Sequence, residues 1–498
     1  MKFFLKPSDP QKLDVDALTV FVWEEEFKNK TFFNPELTKE IKEAAAKEKF
    51  SAKEKESLII SSSGLMSAYK LILVGLGSKE EFDFYKLYEV IAFSIRLAKD
   101  IKAARIGLII DELWFKDYTV AKTTKAIVEA VSLSSYHFLK YKGEKEKEKF
   151  RPIEEIWLAI SPAKVSACEE GRNMGLIVAE AINFARDLVN EPPEYTSPLF
   201  LSLVAKELAK DYKDKVKVKI LEKEEIAKLG MNAFLGVAVG SDKPPKFIHL
   251  SYKPTLSKKK IILIGKGITF DTGGLSLKTY ENMETMKLDM SGAAAVLAVF
   301  KAIPEVLPKV EVVGLIPACE NMPGSKALKP GDILKALDGK TIEILNTDAE
   351  GRLTLADTIC YAKQKEKSDE IIDLATLTGA CMVALGQEVA GLFGNNDKLI
   401  ENMEKSAKEA GERVWRMPLF RQYKELLKSH IADIKNVQSG KYGGAISAAL
   451  FLSEFVGKTP WVHLDIAGPA YAEKDSPLTP VGGTGFGVAT LLTYLSSF

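Results

Sequence analysis

Two short stretches concentrate residues that could do chemistry. KKIILIGKGITFDTGGLSLKTYENMETMKLD runs from Lys259 to Asp289 and carries Lys266, Asp271, Lys278 and Asp289. ILNTDAEGRL runs from Ile344 to Leu353 and carries Asp348, Glu350 and Arg352. Asp271, Asp289, Asp348 and Glu350 together match the charge of two divalent cations. Carboxylates suit Mg, Mn or Zn, and paired ions ~3.5–4 Å apart are a standard device for hydrolysing stable bonds. An ammonium has no lone pair to offer a metal. Beside two cations, however, a lysine's proton is disfavoured. A neutral Lys266 could then ligate, and a charged Lys278 could polarise a carbonyl or steady an oxyanion. Spacing alone leaves open which lysine does which.

The second stretch has a plainer reading when taken alone. If TIEILNTDAEGRL is a strand and its end, alternation puts Asp348, Glu350 and Arg352 on one face. Two acids side by side need a positive neighbour, and Arg352 could serve as one in a surface ladder. The first stretch shifts the weight towards a site. GKGITFDTGG has neither GxxxxGK[ST] nor GxGxxG spacing, so it is not read as a phosphate loop. All four histidines (His137, His249, His430 and His463) lie outside both stretches and are read as structural. The bare constellation also fits a two-metal phosphoesterase.

The elements that must hold these residues read as α/β. LTVFVWEEEF, YKLILVGLG and AARIGLIID are short apolar runs that suit buried strands, with helical patterns such as KLYEVIAFSIRLAKDIKA between them. GEKEKEKF reads as a solvated loop or helix end. A long helix over ~164–189, with apolar positions three and four apart, stops at NEPPEYTSP because two prolines cannot continue it. A second α/β pattern follows through VKVKILEK, NAFLGVAVG, KFIHLSYK, KKKIILIGKG, KVEVVGLIPA, TIEILNTD and DEIIDLATLTG to VGGTGFGVATLLTYL. We expect a unit over 1–163, a connecting helix over 164–190 and a catalytic unit over 191–498.

Lys+Arg (69) and Asp+Glu (68) nearly cancel in the 498 residues, which gives no reason to expect nucleic acid or an anionic membrane as main partner. The four cysteines form no CxxC pair and read as small buried residues. The start MKFFLKPSDP is too short an apolar run for a signal peptide, and no run reaches the ~20 residues of a membrane helix. A reducing, cytoplasmic location is expected.

At these residues the chain resembles the leucyl aminopeptidase family, the cytosolic dinuclear metallo-aminopeptidases. NTDAEGRL (Asn346–Leu353) matches that family's most specific string without a substitution, and IGKGITFDTGGLSLK (Ile264–Lys278) matches with only its first residue changed. MKLDMSGAAAV (Met286–Val296), DLATLTGA (Asp373–Ala380), YGGAISAALFL (Tyr442–Leu452) and GTGFGVATL (Gly483–Leu491) resemble further family blocks. The likeness covers about 165–498. Before that, only the α/β pattern agrees.

The resemblance implies roles. Lys266, Asp271, Asp289 and Glu350 would form an exchangeable metal site. Asp271, Asp348 and Glu350 would form a tighter one. Lys278 and Arg352 would be the catalytic pair, with Arg352 holding a bicarbonate that serves as general base. Met286 would line the pocket for the substrate's first side chain, and Thr376, Leu377 and Gly379 would touch substrate through their backbone. The implied activity is release of N-terminal leucine and other bulky apolar residues from peptides, by two divalent ions (Zn or Mn, with Mg or Co as alternatives) and a bridging water. The implied fold is an N-terminal macro-domain-like α/β unit and a C-terminal α/β unit with a mixed central sheet. The implied assembly is a homohexamer, a dimer of trimers. Nucleic-acid or ADP-ribose binding by the N-terminal unit is a secondary expectation at most.

Overall fold

A computed structural model describes residues 1–6, 9–62, 64–110, 114, 118–257 and 259–498. The chain divides into two compact units. The first is 1–179 with 474–480, and the second is 180–473 with 481–498. The division falls inside the helix Val165–Asn190. That helix ends where Pro192 and Pro193 follow.

The first unit is built on six strands: β1 (Lys2–Lys6), β2 (Ala17–Trp23), β3 (Ser57–Ser61), β4 (Lys70–Gly77), β5 (Arg105–Ile109) and β6 (Glu155–Ala159). Their order is β1-β6-β5-β2-β4-β3, parallel except for the β3–β4 pair. Every residue of β2 is buried, as expected of a strand covered on both faces. GEKEKEKF contains a six-residue helix, Glu144–Lys149, with no buried side chain.

The second unit carries a mixed nine-stranded sheet. Its strands are β7 (Val216–Leu221), β8 (Lys246–Tyr252), β9 (Lys260–Gly265), β10 (Gly267–Asp271), β11 (Glu311–Asn321), β14 (Glu370–Ala375), β15 (Val389–Gly394), β16 (Arg413–Arg416) and β18 (Trp461–Asp465). Three short strands elsewhere are β12 (Ile333–Lys335), β13 (Thr341–Glu343) and β17 (Ile434–Lys435). β9, β11, β14 and β18 run parallel side by side, while β8 and β15 pair antiparallel on either flank. The mixed central sheet is therefore as expected. Ile261, Ile262, Leu263 and Ile264 of β9 are all 0% exposed, so the centre of the sheet is dry. NAFLGVAVG folds as the helix Asn232–Ala238. All four cysteines are buried and unpaired. No helix among the described residues is long and apolar enough to cross a membrane.

One ion-pair cluster ties β8 and β9, the interior strands on either side of β11, to the turn that follows the helix Gly351–Tyr361. Glu366, which ends the helical turn Ala362–Glu366, meets His249 Nε2 of β8 at 2.9 Å and Lys260 Nζ of β9 at 3.0 Å. The hydrogen bond from His249, aided by Lys260, lowers the Glu366 carboxyl to about 2 despite its burial. A depressed acid stabilises the fold above its unfolded value of 4.5, and that contribution is lost as pH falls from 4.5 towards 2. Glu366→Gln should therefore cost at most about 3 kcal/mol at neutral pH, measured by urea unfolding, and the difference should shrink as pH drops through that window. A cost that stayed constant with pH would contradict the ion-pair account.

Candidate metal centre

The charged residues gather at the carboxyl ends of the parallel strands, the usual place for a site in an open α/β sheet. β9 stops at Gly265. Lys266 follows, its N–H donating to Leu374 O of β14 at 3.0 Å. The chain then leaves along β11 as β10 and ends on Asp271. Gly273 and Gly274 turn it with φ of +85° and +64°, which only glycine adopts without strain. Asp289 lies in the tight turn Met286–Met290 that feeds the helix Ser291–Val306. The helix can start there because Gly292 has no side chain. A Cβ would stand 2.2 Å from Leu374 O.

The NTDAEGRL stretch departs from the extended strand expected of it. β13 ends at Glu343, residues 344–350 are irregular, and a helix begins at Gly351. Glycine at that start leaves room for the lysine, since a Cβ would lie 2.4 Å from Lys266 Cε and push that side chain aside. Arg352 therefore sits in a helix, and it does not neutralise the two acids as a ladder would. Its Nη1 donates to Asn436 O at 2.9 Å. The lysines do the pairing instead. Lys266 Nζ lies 2.8 Å from Asp289 Oδ1 and 2.9 Å from Glu350 Oε1. Lys278 Nζ lies 2.9 Å from Asp271 Oδ2 and 2.5 Å from Asp348 Oδ1.

Four acids thus face two lysines in a buried space. Lys266, Asp271, Asp289 and Glu350 are each no more than 3% exposed. Burial would lower the Lys266 ammonium, but Asp289, Glu350 and Asp271 oppose it and carry it well above its ordinary value. Lys278 is likewise raised, by Asp271, Glu350 and Asp348 against burial. Burial and then Glu350 push Asp271 up to about 6. Burial, with Glu350 and Asp271, raises Asp289 as well. Burial also raises Asp348, whereas Lys266 and Lys278 hold Glu350 below its ordinary value against its burial, so the two ammonium groups leave three of the four acids raised.

The donor set fits divalent ions. One oxygen from each of Asp271, Asp348 and Glu350 lies within 4.8 Å of the others. Asp289 Oδ2 and Glu350 Oε2 are buried without a hydrogen-bond partner. A buried carboxylate oxygen left unmatched is costly unless a ligand completes it. Arg352 Nε is also buried and unmatched, and burial lowers that guanidinium to about 10.

The chain as a whole matches known proteins. The family model for the catalytic domain of the cytosol aminopeptidase family matches residues 183–492, and the model for its N-terminal domain matches 19–145. The chain belongs to the cytosol aminopeptidase family. It is 44% identical to a probable cytosol aminopeptidase of Aquifex aeolicus over 98% of this chain and 96% of that protein. It is also 44% identical to one of Persephonella marina over 91% and 90%. Among solved structures, a mutant of tomato leucine aminopeptidase superposes with a TM-score of 0.89 at 35% identity, covering all of this chain and 97% of the other. The bottromycin maturation enzyme BotP in complex with Mn superposes with a TM-score of 0.85 at 32% identity, covering 97% and 99%. The protein is a metal-dependent aminopeptidase with the two-domain architecture of its family.

Of the remaining expected residues, Thr376 touches the cluster directly. Thr376 is buried just past β14; its carbonyl accepts Lys266 Nζ at 2.9 Å and its hydroxyl donates to Asp289 Oδ1 at 2.6 Å. Leu377 is half-buried and Gly379 exposed on the same segment, and Met286 is half-buried three residues before Asp289. Sequence reasoning missed two asparagines. Asn321, the last residue of β11, donates to Asp271 Oδ1 at 2.8 Å and to Thr347 O at 3.0 Å. Asn436 donates to Asn346 O at 2.6 Å and accepts Leu345 N–H at 2.9 Å, besides receiving Arg352. A polar residue closing the buried run EVVGLIPACEN was the only signal for the first.

Proposed function

We propose that this aminopeptidase binds two divalent ions in the acid cluster and releases leucine and other bulky apolar residues from peptides with a free N-terminus. The observation that carries this is the convergence of Asp271, Asp348 and Glu350 within 4.8 Å, beside two unmatched buried carboxylate oxygens. Asp271, Asp348 and Glu350 would hold one ion; Lys266, Asp271, Asp289 and Glu350 would hold the other. When bound, such ions supply Lewis acidity and a water acidic enough to give a nucleophile at neutral pH. The structural neighbour described with Mn supports manganese, and a carboxylate-rich set also accepts Zn, Mg or Co.

The chain's own residues supply the rest. Lys266 would hold its ion through a neutral amine, the form favoured beside two cations. Lys278 keeps its proton and polarises the substrate carbonyl, and the same ammonium steadies the oxyanion as it forms. Arg352 holds bicarbonate through the Nε that the protein leaves unmatched, which places a proton acceptor beside the reacting centre. The backbone at Thr376, Leu377 and Gly379 aligns the substrate, and Met286 lines the side-chain pocket. A cytoplasmic homohexamer, a dimer of trimers, fits the family. Trp415, Phe420, Ile431 and Tyr442 are exposed in the single chain, as an interface would need.

The test compares leucine anilide, N-acetyl-leucine anilide and an aryl phosphate, with and without bicarbonate. We expect turnover of the first substrate only, stimulated by bicarbonate. Arg352→Ala should keep its ions yet lose that stimulation. Turnover of phosphate alone would end the peptidase reading, and full bicarbonate response in the variant would remove the anchor role of Arg352.

A further inference from the structure

Asp465 touches none of the ligand carboxylates or lysines in the described contacts, yet it holds the segment that does. It ends β18, in register with Ala375 at the end of β14. Past Ala375 the chain turns over the end of the sheet as residues 376–379. Asp465 is 1% exposed. Its Oδ1 accepts the N–H groups of Leu377 at 3.2 Å, Thr378 at 3.4 Å and Ala467 at 3.2 Å. Its Oδ2 accepts the Thr378 hydroxyl at 2.6 Å. That hydroxyl in turn accepts Cys381 N–H at 3.0 Å and caps the helix Gly379–Leu385. One side chain therefore collects four donors, three of them from the segment 377–378.

The fixed segment leads directly to the acid cluster. Thr376 holds Lys266 through its carbonyl and Asp289 through its hydroxyl. Groups that must be placed within about half an ångström need such support behind them. We propose that Asp465 is a positioning residue of the aminopeptidase reaction: by anchoring the Leu377 and Thr378 amides it sets residues 376–379 against the substrate and behind Lys266 and Asp289. This rests on the reading that 376–379 contacts substrate.

The two variants Asp465→Ala and Asp465→Asn separate anchoring from mere stability. Asparagine keeps one oxygen for the Leu377 and Thr378 amides, and its NH2 can donate to the Thr378 hydroxyl. Alanine keeps nothing. Hydrogen–deuterium exchange of a peptide spanning 375–385 reads the anchor, and KM against kcat on leucine anilide at saturating Mn reads its consequence. In the alanine variant we expect exchange of that peptide to speed up about tenfold or more and KM to rise about tenfold, the scale of losing a buried charged hydrogen bond. The asparagine variant should stay within about threefold of the parent in both. If the alanine variant does not fold, Thr378→Val carries the test, with the same directions and about a threefold size.

Unchanged exchange would overturn the proposal. So would faster exchange with unchanged KM and a kcat lowered only by the unfolded fraction. The underlying reading fails differently: a bound, non-hydrolysable leucine analogue would then leave the 375–385 peptide of the parent protein unprotected.

Discussion

Asp271→Asn is expected to lose both ions from stoichiometric binding and at least three decades of kcat/KM, on the order of 4 kcal/mol of transition-state stabilisation. The substitution preserves shape and removes charge. Asp271 belongs to both proposed ion sets, so one change weakens each. Its Oδ1 already accepts Gly273 N–H at 2.9 Å and Asn321 Nδ2 at 2.8 Å, which fixes the carboxylate before any ligand arrives. An amide in its place would turn an N–H towards one of these donors or towards Lys278. Elemental analysis together with leucine anilide kinetics checks the expectation. A variant that kept two ions per chain would show that Asp271 is not shared.

Lys266→Ala should leave one ion per chain and lower kcat/KM by about 10²–10³. The lysine has two jobs in the account. Without ions its ammonium lies between Asp289 and Glu350, and removing one partner from so buried a pair costs up to about 3–5 kcal/mol. With ions it must be neutral to ligate. Lys266→Arg separates these jobs, because a guanidinium stays charged. The arginine variant should retain more of the ion-free stability than the alanine variant yet bind one ion only. Two ions in either variant would remove Lys266 from the ligand set.

Much of the site was legible because its charge is local. Lys266, Asp271 and Lys278 follow a buried apolar strand within one short stretch, and two glycines mark the turn between them. A short β-branched run such as IILIG, ended by glycine, suits a covered strand, which puts the charges after it at a strand end. The two α/β units were legible for the same reason, whereas the mixed central sheet came only from the family resemblance. The alternation argument for Asp348, Glu350 and Arg352 failed. It assumed an extended backbone, while the close approach of Lys266 to Gly351 marks a helix start. It also credited Arg352 with pairing that the two lysines perform.

What stayed hidden was held by hydrogen bonds between distant segments. Asn321 reaches Asp271 across 50 positions, Asn436 receives Arg352 across 84, and Asp465 holds Thr378 across 87. Such pairs leave no spacing to read, because the sheet order rather than the chain brings them together. Asn321 and Asp465 each end a strand of the central sheet, which is where the fold converts strand order into a site.

The most direct measurement is anomalous diffraction from crystals soaked in manganese. The account predicts two neighbouring peaks per chain, roughly 3.5–4 Å apart, enclosed by Asp271, Asp289, Asp348 and Glu350 with Lys266 Nζ turned onto one of them. No peak among these side chains, or a single peak with Lys266 still paired to Asp289 and Glu350, would contradict it.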